Sequence, residues 1–242
     1  MKRLSISVLA AVLLISSGTA GTSEFSFSGA GGPMLAFTTM DMGFINDRLA
    51  LVTHGYKEMD GPVVLWGGFG YGEVADRFKF GGFGFGGANE ETGTFLHQGT
   101  RVRQDVSLSL GGGGLYTEYE AVHVARRLEG SLCMGIGFGG ASLRIDQFGS
   151  NVQWNDLWNS LNPDSIASRN TFAIAMSRAF FMLVPEVGVK FFITRFMALE
   201  GRVGYMLTLN LSDWEYKDMK VLDAPDTDFS APTFGLRLIF GG

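Results

Sequence analysis

Cysteine is almost absent from this sequence. Its 242 residues include a single cysteine, Cys133, so no disulfide bond within the chain can stabilise the fold. A lone cysteine of this kind is typically a small buried side chain. We therefore predict an inward-facing Cys133 without a chemical role.

Long apolar runs are also lacking. Beyond the first residues, no uninterrupted apolar run approaches the ~20 residues that a membrane helix needs. The segment "MKRLSISVLAAVLLISSGTA" has a basic start, a short apolar run and a small-residue exit, which are typical of a secretory signal peptide. We predict that residues 1–20 are removed on export and that residues 21–242 form a single domain.

Positive charge and histidine are scarce. The net charge is -5 and the pI is near 5.2, which argues against a nucleic-acid partner because phosphate binding needs a clustered basic face. The histidines His54, His97 and His123 are far apart, so they lack metal-ligand spacing. Asp226, Asp228 and Ser230 have calcium-loop spacing, but Ala231 and Arg237 replace the turn glycine and the glutamate of such a loop. The sequence indicates no metal and no cofactor.

Glycine and phenylalanine are abundant instead, with 35 and 21 copies. Two glycine patterns, Gly82-x-Gly84-x-x-Gly87 and Gly135-x-Gly137-x-x-Gly140, match a dinucleotide-binding fingerprint. That fingerprint requires a following helix to hold the phosphates, and the segments "ANEETGT" and "ASLRID" follow instead. We predict no nucleotide partner.

Apolar and polar residues alternate with period two, which predicts strands. In "ALEGRVGYMLTL" the odd positions from Leu199 to Leu209 are mostly apolar and the even positions are small or polar. "EVGVKFFIT", "RVRQDVSLSL" and "TFGLRLIF" behave alike. The candidate strands are 25–28, 33–38, 62–72, 76–87, 101–112, 114–124, 131–146, 171–183, 186–195, 198–210 and 232–240.

The alternation slips at two double glycines. Phe78 and Phe80 lie on one face of their strand, whereas Phe83 and Phe85 lie on the other. A β-bulge shifts the pattern by one residue, and glycine tolerates its backbone. We therefore predict bulges that bend the sheet at Gly81, Gly82, Gly139 and Gly140.

Two segments are typical of short helices. Residues 42–54 carry Ile45, Leu49 and Val52 at helical spacing, with Asp41 as a candidate N-cap. A loop helix around Trp154 and Trp158 ends before Pro163. The tryptophan pair is a candidate interfacial anchor, or it forms the packing face of that loop helix.

Charged residues recur on the small or polar faces of the strands. They could form the solvated outer face of an antiparallel sheet, or line the interior of a barrel whose outside is lipid. The second interpretation is favoured because the opposite faces are Leu, Val and Phe. These candidate lumen charges are Arg101, Arg103, Asp105, Arg144, Asp146, Glu186, Lys190, Glu200, Arg202 and Arg237.

The last strand resembles the terminal strand signal of small bacterial outer-membrane β-barrel proteins, through Thr233, Gly235, Leu238 and Phe240. The resemblance implies an all-β antiparallel meander closed into a small barrel of eight or ten strands, located in the outer membrane. It also implies apolar residues outside, polar residues or glycine inside, and helix 42–54 as a plug or cap. Such a barrel is structural, a binding platform or a narrow pore, with outer-membrane lipid as its partner.

Two alternatives remain from sequence. One is a secreted β-sandwich or barrel that assembles with copies of itself into an extracellular tube or envelope layer. The other is a periplasmic barrel that binds an apolar ligand in a Phe- and Met-rich interior. Enzymatic activity is not predicted, because no assembled catalytic residues are visible.

Overall fold

The computed structural model describes residues 28–52, 57–75, 77–97, 100–125, 127–149 and 171–241. The predicted signal peptide, Trp154 and Trp158 lie outside the described residues. The helix predicted around that tryptophan pair lies outside them as well.

Strands dominate the described residues. They are β1 (Gly29–Thr38), β2 (Val63–Ala75), β3 (Phe78–His97), β4 (Thr100–Ala125), β5 (Leu128–Gly149), β6 (Thr171–Phe192), β7 (Met197–Asn210), β8 (Glu215–Tyr216), β9 (Met219–Lys220) and β10 (Ala231–Gly241). The α-helix α1 (Gly43–Val52) lies between β1 and β2. Its first turn is capped as predicted, since the Gly43 N–H donates to Asp41 Oδ1 at 2.8 Å.

Eight of the strands close into a ring. Antiparallel pairing runs from β1 through β7 in chain order, and β10 joins β7 back to β1. The predicted all-β antiparallel barrel is therefore confirmed, and the β-sandwich alternative is wrong because the sheet closes on itself. The short β8–β9 hairpin pairs with β6 outside the ring, at Ser177 and Glu215.

The two ends of the barrel differ. At one end β2–β3, β4–β5 and β6–β7 are joined by short turns, and β1 begins where β10 ends; we call this the turn end. At the other end lie the β1–β2 connection with α1, the β3–β4 and β5–β6 connections, and residues 211–230 between β7 and β10; we call this the loop end.

Four neighbouring strands are much longer than the rest. β3 to β6 have 20, 26, 22 and 22 residues, whereas β1, β2, β7 and β10 have 10, 13, 14 and 11. The long strands therefore continue past the others at the loop end. Two predicted breaks, at residue 113 and at residues 184–185, are wrong because β4 and β6 run through them. Pro185 interrupts only the β6–β7 ladder, while β5 continues to pair with β6.

The predicted bulges at Gly81, Gly82, Gly139 and Gly140 are wrong. Pairing of β3 with β2 and β4, and of β5 with β4 and β6, continues through these glycines without a register shift. The shifts that occur lie next to turns, between Glu73 and Ala75 and after Glu120 and His123. The apolar residues therefore change face while the strand itself stays regular.

Inward glycines make room inside the ring. Gly135, Gly137 and Gly139 face inward, as predicted, and a Cβ at Gly139 would overlap the ring of Phe180. A Cβ at Gly81 would overlap the backbone of Tyr71 on the neighbouring strand. Such close approach of backbone and rings is expected on the concave side of a narrow barrel.

The interior contains two kinds of packing. A large apolar cluster fills the loop-end half and includes Met42, Ile45 and Leu49 from α1 and its N-terminal flank. Strand residues such as Leu65, Leu108 and Phe180, and the loop residues Trp214 and Phe229, complete this loop-end core. The turn-end half instead encloses charged side chains, described next.

Candidate functional site: the lumen network

Nine charged side chains meet inside the turn-end half of the barrel. Their inward direction follows from strand alternation, because their chain neighbours face outward. Six of the eight strands, β3 to β7 and β10, contribute at least one of them. This lumen network consists of Lys79, Lys190, Arg202 and Arg237 with Glu118, Glu120, Glu129, Glu186 and Glu200.

Glu118 is the centre of the network. Its side chain is 0% exposed, and Lys190 Nζ donates to its Oε1 at 2.8 Å. Arg202 donates to its second oxygen, and Lys79 Nζ lies 3.9 Å from Oε1. A carboxylate removed from water needs several cationic partners to offset its desolvation, and Glu118 has three, of which Lys190 and Arg202 donate hydrogen bonds.

Lys79 and Lys190 bind a shared carboxylate. Lys190 Nζ lies 3.2 Å from Glu129 Oε1, and Lys79 Nζ lies 3.7 Å from the same oxygen. Lys79 also pairs with Glu120. The ring of Tyr71 lies beside both ammonium groups, 5.3 Å from that of Lys79 and 5.6 Å from that of Lys190, at distances where cation–π attraction operates.

Arg202 links strand β7 to strand β6 within the network. Its Nε–H donates to Glu200 Oε2 at 2.8 Å, and its Nη1 donates to Glu186 Oε2 at 3.2 Å. Arg237 lies 3.6 Å from the same Glu186 oxygen. The Arg237 guanidinium also lies over the ring of Phe69, 4.7 Å from its centroid. Arg202 and Arg237 therefore connect β7 and β10 to β6 through buried ion pairs.

A small cavity separates the lumen network from the loop-end core. Its volume is about 50 Å³, and its lining includes Met34, Phe83, Tyr116, Thr233 and Arg237. Tyr116 Oη, Thr233 Oγ1 and one Arg237 nitrogen lack a hydrogen-bond partner among the described residues. A cavity of this size and polarity fits a few water molecules, so the lumen is filled rather than open.

Five of the ten predicted lumen charges belong to the network. Glu186, Lys190, Glu200, Arg202 and Arg237 face inward, as their alternation indicates. The other five were misplaced: Arg101, Arg103, Asp105, Arg144 and Asp146 lie on the outward face of β4 and β5 near the loop end. There the inward positions are apolar, for example Leu108 and Leu143, so the charged face is the outer one.

The misplaced charges form local pairs on the outer surface. Arg103 Nε donates to Asp105 at 2.9 Å, and Arg144 Nε donates to Asp146 at 2.6 Å. Partial burial raises the pKa of Asp105, but hydrogen bonds from Arg103 and Thr92 outweigh it and hold that pKa below its usual range. The Arg103 side chain is 61% exposed, so this pair contributes little to stability.

Four members of the network were missed by sequence reasoning: Lys79, Glu118, Glu120 and Glu129. The alternation of the sequence indicates an inward position for three of them. Lys79 lies between Phe78 and Phe80, which share the opposite face, and Glu118 and Glu120 alternate with Thr117 and Tyr119. Glu129 follows directly after a turn, where there are too few residues to establish a period.

Cys133 faces inward and is buried. Its Sγ lies 3.8 Å from Glu118 and 3.7 Å from Ser131 Oγ. Among the described residues, no group of three or more His, Cys, Asp or Glu side chains could hold a metal ion. In the same residues, no helix has both the length and the apolar character to cross a membrane.

Solved structures of two bacterial proteins are similar to this chain at low identity. No protein-family model and no curated protein matches the sequence. The crystal structure of Acinetobacter baumannii CarO2 has 11% identity and a TM-score of 0.36, and the match covers 88% of this chain and 98% of that one. The structure of Ail, the attachment invasion locus protein of Yersinia pestis, in complex with the heparin analogue sucrose octasulfate has 11% identity and a TM-score of 0.38, covering 88% and 97%.

Proposed function

We propose that this protein is a non-enzymatic β-barrel of the bacterial outer membrane, with a lumen closed by ion pairs and a structured loop end that serves as a platform. The observation that carries the proposal is the outward face of the turn-end half. Large apolar side chains remain exposed there on seven of the eight ring strands, all except β1. A water-soluble protein rarely exposes so extensive an apolar surface, whereas a membrane barrel requires it.

The outward apolar side chains form an ordered band. Near the turn end they are mostly aromatic: Phe78, Phe80, Phe191, Phe196 and Phe240. Further toward the loop end, a second aromatic group comprises Trp66, Phe138, Tyr205 and Phe234. The outward positions between the two groups include Ile136, Val187, Val189, Leu199, Val203 and Leu236. Two aromatic girdles around an aliphatic band are typical of barrels in lipid.

The strand lengths agree with this placement. β1 and β10, on the short side of the barrel, have 10 and 11 residues, close to the ~9–11 residues with which a tilted strand crosses a bilayer. The short turns at one end and long connections at the other match the periplasmic and extracellular ends of such barrels. The long strands β3 to β6 then project from the outer surface.

A closed lumen distinguishes this proposal from an open channel. An eight-stranded barrel has an interior just wide enough for side chains, and here the lumen network and the loop-end core fill it. We therefore propose a structural or binding role in the cell envelope, with outer-membrane lipid as the partner of the band. The charged side chains inside pair with one another, an arrangement that favours structure over catalysis.

Self-assembly of a secreted subunit is the alternative that the exposed apolar surface also allows. Such a subunit needs an accessible strand edge, but ring closure pairs most edges of the barrel. Where β3 extends past β2, Asn89 Nδ2 donates to Asp60 O at 2.9 Å, and Lys57 pairs with Glu91 at 2.7 Å. Residues 57–61 therefore cover the first part of that edge, as far as Glu91, which disfavours edge-to-edge assembly there.

Fractionation of a double-membrane host that exports the full chain tests the proposal. We expect a detergent-requiring protein in the outer-membrane fraction whose gel mobility changes on boiling, and no steady conductance after its insertion into a planar bilayer. A soluble protein, or a sediment that needs no detergent, would overturn the membrane assignment, and electron microscopy of the sediment would then test self-assembly. An open-channel conductance would overturn the closed lumen.

A further inference from the structure

A second cavity lies at the loop end, outside the lumen network. Its volume is about 190 Å³. It lies between α1, the projecting parts of β5 and β6, and the β7–β10 connection. Its lining includes Ile45, Leu49, Leu143, Met176, Trp214 and Ala224.

The lining is almost entirely apolar. Its charged residue is Arg48, an exposed side chain at the rim. Water needs two or more polar partners to occupy a buried space, and an apolar cavity of about 150 Å³ is known to stay dry and to bind benzene. This cavity is somewhat larger and equally poor in polar partners, and it is partly open at its rim.

The walls of the cavity are fastened by hydrogen bonds that oppose collapse. Asn46 ties α1 to the following segment, since its Nδ2 donates to Met59 O at 3.0 Å and its Oδ1 accepts the Met59 N–H at 2.9 Å. Arg178 Nε donates to Ser212 O at 2.8 Å, and its Nη2 lies 3.1 Å from Asp226 Oδ1. The β1–β2 connection and the β7–β10 connection, which form two walls of the cavity, are therefore each held by two hydrogen bonds.

Aromatic contacts also hold the walls of the cavity together. The rings of Phe44 and Trp214 lie 6.3 Å apart across the helix–loop contact, and Trp214 meets Phe229 edge-on at 6.0 Å. Trp214 Nε1 donates to Thr227 Oγ1 at 3.3 Å, so its polar atom is satisfied away from the cavity. The ring is thus free to present an apolar face to a guest molecule.

We propose that this cavity is a binding site for a small uncharged apolar molecule, about the size of benzene or a few carbon atoms larger. The apolar lining and the hydrogen-bonded walls favour such a guest over water or an ion. The site does not depend on the membrane placement proposed above, because none of its lining belongs to the outward apolar band. Failure of one proposal therefore leaves the other standing.

Methyl NMR of the full chain in detergent, titrated with benzene, tests this site. Methionine methyl carbons are labelled: Met176 lines the cavity, whereas Met134 faces outward and is 41% exposed, so it reports benzene dissolved in the detergent. We expect the Met176 shift to saturate while the Met134 shift rises without saturation. A Met176 response that merely follows Met134 would overturn the proposal.

Ala224→Leu supplies the variant test, because the added carbons extend into the cavity. We expect loss of the saturable Met176 shift in this variant. Ala175→Leu is the matched control, since Ala175 precedes Met176 on β6 but is exposed on the other face of the sheet, and it should retain saturation. Saturable binding that persists in Ala224→Leu would overturn the site, and the wild-type titration remains decisive if that variant fails to fold.

Discussion

The two halves of the barrel have opposite arrangements of polarity. In the turn-end half the interior is charged and the outer surface is apolar, as the inward Glu118 on β4 and the outward Ile136 on β5 illustrate. In the loop-end half the interior is apolar and the outer surface is polar, as Leu108 and Arg103 show. The same continuous strands build both halves, so strand alternation alone does not decide which face is apolar.

The change of face occurs in the glycine-rich middle of the long strands. On β5 the outward Ile136 and Phe138 give way to the inward Leu143 within a few residues, and Gly139 and Gly140 lie between them. At this crossover Gly139 leaves room for the inward ring of Phe180, which a Cβ would overlap. The comparison teaches that a period-two pattern identifies a strand, but it does not by itself identify the inside.

The largest effect is expected from breaking the centre of the lumen network. Glu118→Gln removes the carboxylate that Lys190 and Arg202 share, and it leaves two buried cations underneutralised. We expect a loss of about 3–5 kcal/mol in the free energy of unfolding, measured by urea titration in lipid vesicles. Arg103→Gln at the exposed pair should cost at most about 1 kcal/mol. Equal losses in both variants would contradict the distinction between the halves.

A charge placed on the outer surface sharpens the comparison. Ile136→Arg puts a cation in the apolar band, and we expect it to cost about 2–4 kcal/mol, as at the midplane of a membrane barrel. Ser142→Arg makes the same replacement on the same outward face of β5 in the loop-end half, where we expect a change within about 0.5 kcal/mol. Unfolding in vesicles measures both. Comparable losses of stability in the two variants would contradict a change in the character of the outer surface between Ile136 and Ser142.

The smallest effect is expected from acidification, which should weaken one hydrogen-bonded contact in the β7–β10 connection. Partial burial raises the pKa of Asp228, but hydrogen bonds from Ser230 and Thr208 outweigh it and hold that pKa below its usual range. Its contribution is therefore present above the unfolded pKa of about 3.9 and is lost as the pH falls through the lower folded value. We expect the Ser230 amide, which donates to Asp228 at 2.9 Å, to lose protection from hydrogen exchange as the pH falls below the unfolded pKa and through the lower folded pKa of Asp228.

Asp228→Asn is the control for the acid experiment. Its Ser230 amide should show no such step after correction for the intrinsic exchange rate. The amides of the turn-end strands should stay protected in both proteins, because the barrel ladders do not depend on this carboxylate. A step that persists in Asp228→Asn would assign the acid sensitivity to another group.

Much of the fold could be predicted from particular residues. The alternation in β7 and β10 gave both the strand and its inside, because Leu199 and Leu236 are exposed and Arg202 and Arg237 are buried. The helix was recognised from Ile45 and Leu49, which lie in the loop-end core. In these segments each face of the strand or helix keeps the same environment along its whole length. The local pattern therefore agrees with the tertiary position.

The rest could not be predicted because the environment changes along the strand. In β4 the rule that held for β10 placed Arg103 and Asp105 inside, whereas they lie in the loop-end half on the outer surface. Strand lengths of 20 to 26 residues exceed what one bilayer crossing requires, and that excess was hidden when β4 and β6 were divided at residue 113 and residues 184–185. Pairings of the lumen network join strands far apart in sequence, so they depend on ring closure.

The position at which the apolar face changes sides also constrains the register in which neighbouring strands pair. A strand that alternates uniformly penalises a slip of one residue, which reverses its faces, but it tolerates a slip of two. In β3 to β6 a slip of two would move the crossover of one strand out of line with that of its neighbour. An apolar side chain would then meet water, while a polar one would meet the apolar core or, in the membrane placement proposed above, lipid. Correct register is therefore enforced against even-numbered errors as well as odd ones.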